Sequence, residues 1–133
     1  MKHFALYFLS IFLVASNYSI AHSVMHITSQ SQLNKEIIDN KKPAIVKFSS
    51  RTCPACISAE KPFNNLAKET PDIIFATVEK DKNRALFQKY NISSMPTFLY
   101  FNNGKIVETQ TGYSPNFNAR TKQTISRMVT TKN

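Results

Sequence analysis

The sequence predicts an α/β domain with a central mixed sheet of four to five strands and helices on both faces. Three observations carry that prediction. Strand-like and helix-like segments alternate from residue 24 onwards, an Asn-Gly turn joins two β-rich runs at Asn103-Gly104, and a capped amphipathic segment follows them. The chain has 133 residues, 42% of them hydrophobic, which supplies one core, because single cores run to roughly 100–150 residues.

Residues 1–23 read as a cleaved signal peptide and residues 24–133 as the domain. Met1-Lys2-His3 is a basic n-region, Phe4 to Ala15 is an uncharged apolar h-region, and Ala21 and Ser23 supply the small residues a signal peptidase reads. Cleavage is expected after Ser23, with Ala21 as the alternative. A retained membrane anchor is the competing reading, but an h-region of about 12 residues is short against the roughly 20 that span a bilayer.

Each element of the domain has a local cause. Val24 to Thr28 alternates weakly and suits a short edge strand. Ser29 or Ser31 caps a helix, with Gln32 at capping-box spacing from Ser29 and Leu33, Ile37 and Ile38 on one face up to Asn40. Lys41-Lys42-Pro43 breaks the chain before Ala44 to Ser49, a short apolar run that reads as a buried strand. A second helix starts at the Cys pair and runs through Phe63, Leu66 and Ala67 to about Glu69, and Ile73 to Glu79 is a β-branched strand. Asn83 to Tyr90 forms a third helix, ended by Asn91, which tolerates left-handed backbone. Thr97–Phe101 and Ile106–Thr111 flank the Asn103-Gly104 turn as a hairpin. Ser114 as cap and Pro115 at the first helical position then open a helix with Phe117, Thr121, Ile125, Met128 and Val129 on one face.

Charge and cysteine count exclude several function classes. Seventeen basic and 8 acidic residues give a net +9, and removal of residues 1–23 leaves +8. That excess is diffuse, with no basic cluster interleaved with aromatics, so no nucleic-acid groove is expected. It reads as a solvated basic surface, with attraction to an anionic membrane face or acidic partners as the alternative. Two Cys are too few for a multi-disulfide scaffold or a four-cysteine zinc module, and a site of two Cys and two His is poorly supplied.

The chemistry concentrates at Ser50-Arg51-Thr52-Cys53-Pro54-Ala55-Cys56. A C-x-x-C pair at a strand-to-helix junction puts the first sulfur at a helix N-terminus, where free N–H groups and the positive dipole end favour a thiolate. Cys53 is the candidate nucleophile, and Cys56, one turn on, is placed to attack a mixed disulfide on Cys53 as the resolving thiol. A structural disulfide is the weaker reading, because so short a loop removes little unfolded-chain entropy. Half of a metal site is another, and soft Cu(I) held by Cys53, Cys56 and Met95 is its most credible form.

Ala44-Ile45-Val46-Lys47-Phe48, Cys53-Pro54-Ala55-Cys56, Tyr90-Asn91-Ile92-Ser93-Ser94-Met95-Pro96-Thr97-Phe98, Asn103-Gly104-Lys105 and Thr111-Gly112-Tyr113 follow one another in an order and spacing that resembles the thioredoxin family. The match covers nearly all of residues 24–133. The resemblance implies a thioredoxin fold, a cis peptide bond before Pro96 beside the Cys pair, and pairing of the Met95 backbone with a substrate strand. Substrate contacts then fall on Met95, Pro96, Thr52 and Pro54.

Departures from the family pattern bear on activity. Thr52 replaces the usual aromatic residue, which thins the apolar collar for unfolded substrate. The Pro-first order of Pro54-Ala55 resembles glutaredoxins and periplasmic thiol oxidases. Pro62 sits one position further from Cys56 than the family's helix-kinking Pro, so a bulge or shifted kink is expected. Lys47 occupies the place of a buried acidic residue. If charged it stabilises thiolates and shifts the pair towards oxidation or isomerisation, and the alternative is that it snorkels to the surface and tunes nothing.

The sequence therefore reads as an exported, periplasmic or secreted thiol–disulfide oxidoreductase that acts on protein thiols or disulfides. It is expected to work as a monomer, without cofactor or metal, re-poised by a redox partner that the sequence does not name. A periplasmic Cu(I) carrier using the same Cys pair is the second reading. Reduction, isomerisation and oxidation all remain open as directions.

Overall fold

A computed structural model describes residues 23–131. The expected signal peptide therefore lies outside the described residues, apart from Ser23.

Five strands, β1 (Met25–His26), β2 (Ala44–Ser49), β3 (Ile74–Glu79), β4 (Thr97–Asn102) and β5 (Lys105–Thr111), form one sheet in the order β1-β3-β2-β4-β5. β1 and β2 run parallel to β3, whereas β4 is antiparallel to β2 and β5 to β4. This is the predicted mixed sheet. The helices are α1 (Gln30–Leu33, continued by a wide turn at Asn34–Ile38), α2 (Pro54–Glu69), α3 (Arg84–Lys89) and α4 (Phe117–Thr130).

Alternation along the strands feeds two cores. Ala44, Val46 and Phe48 of β2 join Leu33, Ile37, Leu86 and Phe87 on one side of the sheet. Ile45 joins Phe63, Leu66, Phe98, Tyr100, Phe117 and Ile125 on the other, beneath α2 and α4. Aromatic edges lock both, with Phe48 and Phe87 centroids 5.1 Å apart and Phe98 and Phe117 4.6 Å apart. Because residues alternate across a strand, Lys47 falls on the α2 side, between the Phe48 and Val46 that face α3.

Local chemistry explains the boundaries. Ser29 is the cap, its Oγ accepting from Gln32 N–H, while Gln32 Oε1 accepts from Thr28 N–H. Beyond Leu33 the helix widens, with Asp39 N–H bonded back to Asn34 O at 2.8 Å, a π-type turn the periodicity did not predict. Asn91, at φ 53, ends α3 with Ile92 N–H bonded to Phe87 O and Asn91 N–H to Gln88 O, a Schellman motif. Gly104 combines φ 78 with an approach in which a Cβ would stand 2.6 Å from Ile38 O, so the hairpin tip admits glycine alone.

Several expectations are corrected. The first strand is two residues long, not five. The last helix begins at Phe117 with Asn116 at its cap position, because Phe117 N–H closes a turn on Ser114 O and Pro115 lies outside. Val129 is 50% exposed. At about 100° per residue it lies about 40° beyond Ile125, outside a stripe centred on Thr121 and Met128, while Thr124 at the opposite edge is buried with its hydroxyl bonded to Glu108 Oε2. α2 is α-helical from Pro54 to Glu69 through Pro62, so of the expected bulge or shifted kink the bulge is absent. The proline deprives only Ser58 O of its donor, and Ser58 faces solvent.

Candidate active site

β2 delivers the chain to the site and α2 carries it away. Between them, Cys53 caps α2 with extended backbone (φ −89, ψ 115), and Pro54 occupies the first turn, where its missing N–H costs nothing. Cys53 Sγ accepts from Cys56 N–H at 3.3 Å, Cys53 O accepts from Ile57 N–H at 3.1 Å, and Ser50 O accepts from Cys53 N–H at 3.4 Å. Both thiols are free, Cys53 half-buried and Cys56 buried at 1% exposure. Burial pushes the Cys56 thiol up from its ordinary 9.0, helped by the hydrogen bond with Cys53 and opposed by bonds from Ser50 and Ser49.

The opposite wall comes from the segment before β4. The Met95-Pro96 peptide bond is cis, and Cys53 Sγ donates to Met95 O at 3.7 Å. Pro96 is buried and its carbonyl is held by Gly112 N–H at 2.7 Å. The Met95 side chain packs on the α1/α3 core, so it is the Met95 backbone that faces the sulfur. Thr52 and Pro54 are exposed beside Cys53.

Lys47 lies behind the pair, 3% exposed, with Nζ 5.0 Å from the Phe63 ring centroid. It lines a cleft of about 260 Å³ with Glu60, Asn64, Thr77 and Glu79. Desolvation lowers its pKa, opposed by attraction to Glu60, then Glu79, and least to Cys56. Thr77 Oγ1 is buried there without a hydrogen-bond partner.

A thioredoxin family model matches residues 24–129. The chain belongs to the thioredoxin family. It is 30% identical over 90 residues to a thioredoxin of Mycoplasmoides gallisepticum, covering 68% of this chain and 89% of that protein. Thioredoxin H3 of Arabidopsis thaliana is 31% identical over 74 residues, 56% of this chain and 63% of that protein. A thioredoxin structure from Trypanosoma brucei brucei superposes with a TM-score of 0.74 at 24% identity, over 83% of this chain and 96% of that one, a likeness of fold. Membership and the paired Cys53 and Cys56 make the chain a thiol–disulfide oxidoreductase, with protein thiols or disulfides as its class of substrate.

The thioredoxin frame shows which site residues were legible. Cys53, Cys56, Thr52, Pro54, Met95 and Pro96 come together at one end of the sheet, and Lys47 lies behind them. Glu60 and Glu79 escaped the sequence reading. Glu60 sits three residues before Phe63 on α2, a spacing that shares a face, and Glu79 pairs in register with Ser49. Among the described residues no group of three or more His, Cys, Asp or Glu is placed to hold a metal.

Proposed function

We propose that this thioredoxin-family chain is an exported thiol–disulfide oxidoreductase that exchanges disulfides with proteins outside the cytoplasm. The observation that carries it is Cys53 Sγ, at the start of α2, facing Met95 O beside a cis-Pro96 with Cys56 one turn behind. The Cys53 thiolate attacks a substrate disulfide. One S–S bond forms, one breaks, and the first substrate sulfur leaves as thiolate. Cys56, once deprotonated, attacks Cys53 Sγ, forming the Cys53–Cys56 disulfide and releasing the second substrate thiolate. Run backwards, the same steps oxidise a dithiol.

Substrate docks as an added strand on Met95, whose N–H donates to no group among the described residues, with Thr52 and Pro54 flanking it. Lys47 biases the pair towards oxidation or isomerisation by favouring the dithiolate, within limits that Glu60 and Glu79 set. The chain acts as a monomer re-poised by a separate redox partner. Export rests on the basic, apolar and small-residue pattern of residues 1–23.

Insulin reduction and oxidative refolding of a reduced substrate protein test the chemistry together. Turnover in at least one is expected, and inactivity in both contradicts the reading. Mass measurement on protein from the extracytoplasmic fraction tests export. A chain beginning at Val24 or His22 is expected, and full-length protein confined to the cytoplasm contradicts it.

A further inference from the structure

Resting on the exchange reaction just proposed, we infer that a basic groove beside Cys53 selects substrates with acidic residues flanking their reactive cysteine. Lys80, Arg84, Phe87, Ile92 and Ser93 line this groove, which has a volume of about 640 Å³. Two backbone links tie it to the site. Ser93 is two residues before Met95, whose carbonyl meets Cys53, and Lys80 N–H is bonded to Ser49 O at 3.0 Å, next to the Ser50 that holds Cys53 N–H.

Shape and charge both point to an acidic peptide. The floor is apolar, from buried Phe87 and half-buried Ile92, and the Schellman bonds at Asn91 fix its backbone. Lys80 and Arg84 are exposed at its rim, and neither belongs to an ion pair among the described residues. No carboxylate lines the groove. Glu79 and Asp81 flank Lys80 in sequence, but neither lines the groove, and Glu79 lines the Lys47 cleft. A peptide bound along Met95 runs past this rim, where Asp or Glu side chains meet both cations.

Peptides carrying one cysteine as a mixed disulfide with thionitrobenzoate, flanked by Glu, Ser or Lys, test this on the reduced protein. Cys53 thiolate attacks the peptide sulfur, a Cys53–peptide disulfide forms, and coloured thionitrobenzoate leaves. Exposed ion pairs each change such a rate roughly 1.5- to 5-fold, so with two cations the Glu peptide should react about 2- to 25-fold faster than the Ser peptide at low salt, with the Lys peptide slowest. The preference should collapse near 1 M salt, where the screening length is about 3 Å. The double variant Lys80→Glu, Arg84→Glu should invert the ratio. Reversing Lys42 and Lys105, exposed at the end of the sheet opposite Cys53, makes the same change in net charge and should keep it. Equal rates for the three peptides, or the same loss of preference with the distant pair, overturns the groove. Release from no peptide overturns the exchange reaction itself, and the groove with it.

Discussion

Lys47→Met removes the charge behind the Cys pair and leaves a straight side chain to cover Phe63. Its effect on the reduction potential follows from where the charge sits. A cation favours the dithiolate, hence the reduced form, so removing it should lower the potential. At an effective dielectric constant of about 20, unit charges in contact at about 4 Å interact by about 4 kcal/mol, and Cys56, the weakest of the three charge partners of Lys47, feels a fraction of that. Glu60 and Glu79 hold Lys47 more strongly than Cys56 does and cancel part of that field. About 1 kcal/mol remains, which for a two-electron couple is about 20 mV, and Lys47→Glu should roughly double the shift. Glu60→Gln should move the potential the other way. Equilibration against glutathione or dithiothreitol buffers, read by alkylation of free thiols, measures all three variants. The difference between wild type and Lys47→Met should grow as the thiols ionise and fade once Lys47, its pKa lowered below the ordinary 10.5 by burial, loses its charge. An unchanged or higher potential in Lys47→Glu, or parallel shifts in Lys47→Met and Glu60→Gln, would refute the electrostatic argument.

Other predictions bear on the frame. Burial holds the Tyr100 phenol at about 12, against an ordinary 10.0, with its Oη 2.9 Å from Thr121 Oγ1. A raised folded-state pKa gives stability that is present below 10.0 and lost through about 12, so wild type should lose about 2–3 kcal/mol relative to Tyr100→Phe across that window in denaturant melts. A flat difference would contradict the burial. The raised Cys56 pKa predicts that closure of a Cys53 mixed disulfide accelerates as pH climbs past 9.0, by stopped-flow quench, and a rate level from neutral pH upwards would exclude it. Gly104→Ala should cost about 2–4 kcal/mol, from left-handed strain and a backbone clash at Ile38 O, whereas Gly112→Ala meets nothing within 4 Å and should cost about 1–2 kcal/mol. Equal thermal shifts for the two would contradict that contrast.

The fold was legible where one face decides the residue. Ala44 to Ser49 is buried throughout, so its apolar run could be read without knowing its neighbours. Ser114-Pro115 misled because a cap followed by proline fits a helix start, yet Phe117 stacks 4.6 Å from Phe98 and the helix begins with that anchor. Thr124 extends the buried stripe on the side away from Val129, because a hydroxyl that reaches Glu108 and Arg120 O can be buried in place of an apolar residue. At the site, the Cys pair announces itself by spacing. Its apposition to Met95 joins residues 42 apart in sequence, and only the family resemblance suggested it. The charges around Lys47 come from a helix and a neighbouring strand, so no local pattern displays them.

The central claim is that Cys53 attacks and Cys56 resolves. Cys56→Ser, expressed in the native host and recovered under acid quench with thiol blocking, tests it most directly. The account predicts mixed disulfides that run as higher-mass species, vanish on reduction and are absent when Cys53 is also replaced by Ser. A trap that stays empty, or adducts that survive the loss of Cys53, would contradict it.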